Sequence, residues 1–296
     1  MKILVFGAGA IGSLFGGLLS KNNDVVLIGR KPHVYAINKK GLTIKGKTNL
    51  KLKVSAFKSV KEINFFPDLI IISVKSYDTD SAVKQIKHLV GKKTMVMSLQ
   101  NGLGNIEKIC KYVNKKNILA CVTTHGAIFS KPGEIFHTGI GKTTIGGLNV
   151  DKSKKVQDIV QTFSQSKIKT IISKNIIKEI WIKAIINSSI NSLTTFFKCK
   201  NGYLFKNPVL KKLVEKTCNE STAIANSQGF SLKQKDMIDK TFEVISDTSE
   251  NYSSMLQSKN KGQKTEINSI NGKLVEIGKK KRIDTFVNDL LLRIIN

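Results

Sequence analysis

A chain of 296 residues, 41% hydrophobic and 24% charged, has the composition of a folded globular protein and length enough for two domains. No uncharged apolar run reaches the roughly 18 residues of a membrane-spanning helix, which excludes that class. The net charge of +28 comes from lysines spread over the whole chain without interleaved aromatics; this argues against a nucleic-acid stacking platform and suits a field that attracts small anions.

In chain order, "KILVF" reads as a buried strand, "GAGAIG" (Gly7 to Gly12) as a turn, and "AIGSLFGGLLS" as a helix with apolar residues at helical spacing. "DVVLI" is a second strand, followed by a break at "GRKP" and a two-stranded patch around "LTIKG" and "LKLKV". "PDLIIISVK" is a fully buried strand, "DTDSAVKQIKHLV" an amphipathic helix with an acidic start, and "TMVMSLQNG" a strand running into a turn. After "NILACVTTHGAIF", the runs "GEIFHTG" and "GKTTIGG" are expected to pair as a hairpin. Strands alternating with helices imply parallel pairing with right-handed crossovers, an α/β class. Near residues 170–175 strand signals nearly vanish, and the rest is helical. The expected domains are therefore 1–172 and 173–296.

The cysteines Cys110, Cys121, Cys199 and Cys218 form no C-x-x-C pair and sit beside no His at ligand spacing, so reduced thiols and no metal are expected. "GKKKR" at Gly278–Arg282 suits the cation-favouring end of a helix.

The glycine turn directly follows a strand and directly precedes a helix, the context that a dinucleotide fingerprint requires and a signal peptide does not fit. Gly7 permits the tight turn, Gly9 the approach of a pyrophosphate and Gly12 close helix packing, with Ala8, Ala10 and Ile11 between them. After the second strand stand Arg30 and Lys31, where an NAD-preferring fold carries a carboxylate; an arginine there pairs with a 2′-phosphate, so NADP(H) is the expected cofactor.

In "WIKAIINSSINSLTTF", Lys183, Asn187 and Asn191 recur at i, i+4 and i+8 and share a helix face. Asn is a poor helix former, so this is either a solvated stripe or a site. The apolar positions Ile176, Ile177, Ile180, Trp181, Ala184, Ile185 and Leu193 lie close to one stripe.

These motifs resemble those of the ketopantoate reductase (2-dehydropantoate 2-reductase) family over nearly the whole chain: "GAGAIG", "VKS" around Lys75, "QNGLGN" around Asn101, "TTHGA" around His125, "WIKAIINSSIN", "CKNG" around Asn201, "NYSSMLQ" around Ser254 and "KTEINSINGKL" around Glu266. The resemblance implies an N-terminal Rossmann-type doubly wound sheet, a C-terminal all-helical domain like that of 6-phosphogluconate dehydrogenase, and an active site in the cleft between them. It makes Lys183 the proton donor and Glu266 its catalytic companion. Asn101, Asn187, Asn191, Asn201, Asn251 and Ser254 become substrate-binding, and Lys75, Asn101, Ala127 and Glu266 cofactor positions. Plainer readings stand beside these: a surface charge for Lys75, a left-handed turn for Asn101, packing for Ala127, an "NG" turn for Asn201, a helix cap for Ser254 and an ion pair for Glu266. His125 is expected to be a hydrogen-bonded structural residue.

The implied activity is NADPH-dependent reduction of 2-dehydropantoate to pantoate in the cytoplasm, with a small 2-keto acid as partner and no specific nucleic acid or membrane. A homodimer stays open. So do a reductase of another 2-keto or 3-hydroxy acid and a non-catalytic NADPH-binding protein. The extra lysines in "FFKCKNG" and "SKNKGQKTE" remove no motif residue but leave the preferred keto acid open.

Overall fold

The computed structural model describes residues 1–148 and 154–296. The chain divides into two units, Met1–Gln100 with Asn105–Ile177, and Asn101–Gly104 with Lys178–Asn296.

In the first unit the order is β1 (Lys2–Phe6), α1 (Ala10–Leu19), β2 (Asp24–Ile28), α2 (Lys31–Lys40), β3 (Leu42–Gly46), β4 (Leu50–Leu52), β5 (Ser55–Phe57), β6 (Leu69–Ile72), α3 (Thr79–Ile86), β7 (Met95–Ser98), α4 (Asn105–Cys110), β8 (Ile118–Thr123), β9 (Gly126–Lys131), β10 (Glu134–Gly139), β11 (Thr143–Gly147), α5 (Lys154–Gln165) and β12 (Thr170–Ile172). The large sheet runs β12-β11-β8-β7-β6-β1-β2-β5, parallel from β5 to β8, with β11 antiparallel to β8. Strand order reverses between β1 and β6, the switch point where open α/β sheets bind ligands.

The continuous apolar runs of these strands follow from burial on both faces. Ile3, Val5, Leu27, Ile71 and Met97 pack with Phe15 of α1 and Phe163 of α5, while Leu4, Phe6, Ile70, Ile72 and Val96 pack with Val83 and Ile86 of α3. The smaller sheet, β4-β3-β10-β9, adds Leu42, Ile44 and Ile135 to the first of these clusters.

Two local expectations are corrected. "GRKP" is no break but the start of α2, with Pro32 in the first turn, where its missing N–H removes no helical hydrogen bond. "GEIFHTG" and "GKTTIGG" do not pair. β10 lies between β9 and β3 in the small sheet, and β11 joins β8 in the large one.

The second unit contains α6 (Ile176–Phe197, its first two residues counted with the first unit), α7 (Tyr203–Lys206), α8 (Pro208–Asn226), α9 (Gln234–Asp247), α10 (Ser254–Asn260), α11 (Asn271–Lys281) and α12 (Phe286–Ile295). Asn207 starts α8 by accepting from the N–H groups of Val209 and Leu210, with Pro208 at the first helical position. Helix α6 is not the one-stripe helix its apolar spacing suggests. From Ser188 to Thr195 every residue is buried, and the hydroxyls of Ser188, Ser189, Ser192, Thr194 and Thr195 donate to carbonyls three or four residues back. These small residues satisfy their own polar atoms and leave room for neighbouring helices on all sides. Among the described residues no helix is long and apolar enough to cross a membrane.

Candidate functional site

In the first unit the glycine turn is tied to three strand ends. The N–H groups of Gly7 and Ala8 donate to Ile28 O at 3.0 and 2.8 Å, and the Ser73 N–H donates to Phe6 O at 2.9 Å. Gly7 has φ +113°, and a Cβ there would lie 2.6 Å from Val74 N, so only glycine fits. A Cβ on Gly12 would collide with Gly7 O and Ser73 Oγ, whereas one on exposed Gly9 would meet no atom closer than 4.0 Å. The turn is therefore closed toward the sheet and open at Gly9. Helix α1 begins there without a side-chain cap, so its first N–H groups are available to an anion. These features fit the pyrophosphate of a dinucleotide.

Exposed Arg30 and Lys31 open α2 directly after Gly29, whose Cα lies against Ala8: an added Cβ would be 2.9 Å from the Ala8 Cβ. Lys75 is half-buried beyond β6 and its carbonyl accepts from Asp78 N–H at 2.8 Å, starting a short 3-10 turn. Ala127 sits in β9 opposite His137 and packs against the apolar cluster around α1.

Three buried histidines support this region. The Gly133 N–H donates to His33 Nδ1 at 2.9 Å, so the ring proton sits on Nε2 and is given to Ser13 Oγ at 3.0 Å. His125 Nδ1 pairs with His137 Nε2 at 3.1 Å, and His137 Nδ1 with Thr48 Oγ1 at 2.9 Å, so His125 is hydrogen-bonded within the fold as expected. Burial lowers His33 and His125 to about 4, with His137 adding to the effect on His125, and burial also lowers His137.

In the second unit, α6 carries Lys183, Asn187 and Asn191 in helical register, the first two half-buried and the third buried. One of the segments that carry the other expected residues, Ser253–Ser254, is bonded to this helix. Ser253, not Ser254, is the cap of α10: its Oγ accepts from Leu256 N–H at 3.3 Å and pairs with Thr194 Oγ1 of α6 at 2.8 Å. Ser254 is thus the first helical residue and is exposed, its hydroxyl not used as a cap. The N–H of buried Asn201 donates to Asn251 O at 3.0 Å, which joins these two positions, and its Nδ2 donates to Thr248 Oγ1 at 2.9 Å. No hairpin surrounds it; Asn201 precedes α7 rather than linking two strands.

Buried Glu266 precedes a 3-10 turn over Ile267–Ser269. The Ser269 hydroxyl donates to Glu266 O at 2.9 Å, and Ser269 O accepts from Leu103 N–H at 2.8 Å. This holds the Asn101–Gly104 segment beside the Glu266 turn. Gly102 makes the approach possible, with φ +83° and a Cβ position only 2.7 Å from Ser269 O. Ser73, Ser253 and Ser269 escape motif reading because each acts through a partner remote in sequence.

Comparisons with known proteins agree over the full length. A family model described as ketopantoate reductase PanE/ApbA matches residues 3–149, and its C-terminal counterpart matches residues 175–296. A 2-dehydropantoate 2-reductase of Pyrococcus abyssi is 43% identical over 296 residues, covering 100% of this chain and 97% of the relative. Its counterpart in Pyrococcus horikoshii is 40% identical over 298 residues, covering 100% and 96%. Among solved structures, a ternary complex of D-mandelate dehydrogenase with NADH and anilino(oxo)acetate superposes with a TM-score of 0.94 at 30% identity, covering 100% of this chain and 97% of that one.

Proposed function

Because this chain belongs to the ketopantoate reductase family, we propose that it catalyses the NADPH-dependent reduction of 2-dehydropantoate to pantoate, a step toward pantothenate and coenzyme A. The observation that carries this reading is α6, which keeps Lys183, Asn187 and Asn191 in register on a helix otherwise locked by buried hydroxyls. A bound nicotinamide supplies hydride to the ketone carbon.

Gly7 to Gly12 with the start of α1 hold the pyrophosphate, Lys75 and Ala127 line the cofactor's course, and Arg30 with Lys31 take the 2′-phosphate. As negative charge develops on the ketone oxygen, the Lys183 ammonium stabilises it and delivers the proton. Glu266 pairs with that cationic centre and keeps it aimed. Asn187 and Asn191 donate to the keto acid without adding charge. Ser254, Asn201 and Asn251 hold its carboxylate and hydroxyl end, and Asn101 orients the ketone toward the nicotinamide. The enzyme works in the cytoplasm, and the small acidic substrate gains from the chain's positive field.

A second reading, reduction of another 2-keto acid, draws support from the D-mandelate dehydrogenase likeness. One assay separates the two: NADPH oxidation by the purified chain against 2-dehydropantoate, pyruvate and 2-ketoisovalerate in parallel. A higher kcat/KM for 2-dehydropantoate is expected; preference for either other acid overturns the substrate assignment.

A further inference from the structure

Asn271 lies in the "KTEINSING" motif, is fully buried, and begins α11 just after the Glu266 turn. Its Nδ2 donates twice, to Ser188 O of α6 at 3.1 Å and to Asn288 Oδ1 of α12 at 3.0 Å. Asn288 Nδ2 in turn donates to the buried Glu220 carboxylate at 2.9 Å, which also accepts from the N–H groups of Val287 and Asn288 at 3.0 and 3.1 Å. Ser188 Oγ pairs with Ser221 Oγ of α8 at 2.9 Å, next to Glu220 in sequence.

The polarity of this line is fixed at one end. Three donors converge on Glu220, so Asn288 presents its Nδ2 there and its Oδ1 to Asn271, which must present Nδ2 and not Oδ1 to Ser188. Ser188 directly follows Asn187 and lies between Lys183 and Asn191. Its carbonyl already accepts the Ser192 hydroxyl, so Asn271 adds a bond from outside the helix. Asn271 therefore spans from the residue next to Asn187 to the segment that carries Glu266 and, through Ser269, the Asn101 segment.

We propose that Asn271 is a positioning residue of the reduction, clamping α6 against the Glu266 turn so that Lys183 stays on the ketone oxygen. The proposal rests on the reductase reading. Displacement of a reacting group by about 1 Å can lower a rate by about 10²-fold, so a polar clamp at this position has kinetic consequences.

The test is a double-mutant cycle on the full chain, with 2-dehydropantoate and NADPH, using Asn271→Ser and Lys183→Ala. In the otherwise native chain, Asn271→Ser is expected to lower kcat by about 10- to 100-fold with KM for NADPH changed less than about threefold. In the Lys183→Ala chain the same substitution is expected to lower the residual rate less than about threefold, because the group it positions is gone. Equal fold losses in both backgrounds would reveal a purely structural role and overturn the proposal, as would less than about threefold loss in the native chain. Asn271→Asp, which keeps the volume and removes both donors, replaces Asn271→Ser if the latter does not fold. A native chain that turns over no 2-dehydropantoate overturns the reductase reading and this proposal together; a Lys183→Ala chain as active as the native one, or a slowed one with an additive cycle, overturns only the proposal.

Discussion

The hydroxyl of Ser73 donates to the carbonyl oxygen of Gly7 at 2.9 Å, which fastens the end of β6 to the glycine turn that follows β1. Gly12 sits against the same hydroxyl, in a gap too small for a methyl group. The turn and the helix start are therefore one fitted unit, and disturbing either should be read out as lost cofactor affinity.

Gly12→Ala is expected to raise the NADPH dissociation constant by at least about tenfold, because the added carbon must push Gly7 O or Ser73 Oγ aside. Fluorescence titration of the purified variant checks this, and native affinity would show that the turn tolerates the displacement.

Replacing Lys183 by Ala should lower kcat by roughly 10²–10⁴-fold while NADPH affinity stays near native, the range for a positioned general acid. A loss below about tenfold would remove Lys183 from the proton-delivery role.

Arg30→Ala should weaken NADPH far more than NADH, since an arginine at this place acts on the 2′-phosphate that only NADPH carries. Equal weakening of both would show that Arg30 does not read the phosphate.

Gly102→Ala combines a left-handed φ of +83° with a collision at Ser269 O, and so forces the Asn101 segment off the Glu266 turn. We expect kcat/KM for the keto acid to fall by about 10²-fold with little change in NADPH binding. Unchanged kinetics would separate Asn101 from the chemistry.

Acid should destabilise the fold through its buried histidines. His33 and His125 stand at about 4 in the folded chain against 6.5 for an ordinary histidine. The unfolded chain thus binds more protons in this window, and stability falls as pH drops from 6.5 toward about 4. Thermal unfolding midpoints measured at steps between these limits should decline. The decline should be shallower for His33→Gln, and an equally steep one would exonerate His33.

The parallel strands and α1 are legible in the sequence because both-faced burial writes uninterrupted apolar runs, and the glycine turn because Gly7 and Gly12 leave no room for a side chain. Strand partners are less so: "GEIFHTG" and "GKTTIGG" each announce a strand, but nothing in them says that one joins β3 and the other β8. Helix α2 is hidden by Pro32, which punctuates a chain at helix starts and in turns alike. In the helical unit, Lys183, Asn187 and Asn191 stand out by spacing. Asn271 does not, since its partners lie 83 and 17 residues away and no local pattern encodes them. Ser253 and Ser254 show the same limit at closest range: only the direction of one hydroxyl tells the cap from its neighbour.

The hydroxyl lining of α6 makes residue count matter more than residue identity along this helix. One inserted or deleted position between Lys183 and Ser188 would swing the lysine by about 100° relative to the Thr194–Ser253 and Ser188–Ser221 anchors. Hydrocarbon surfaces would slide and re-seat after such a change, whereas paired hydroxyls meet only at one phase. Grafted loops or altered lengths are better sought at the exposed Gly229 and Gly262 bends, where an added Cβ meets nothing within 4 Å.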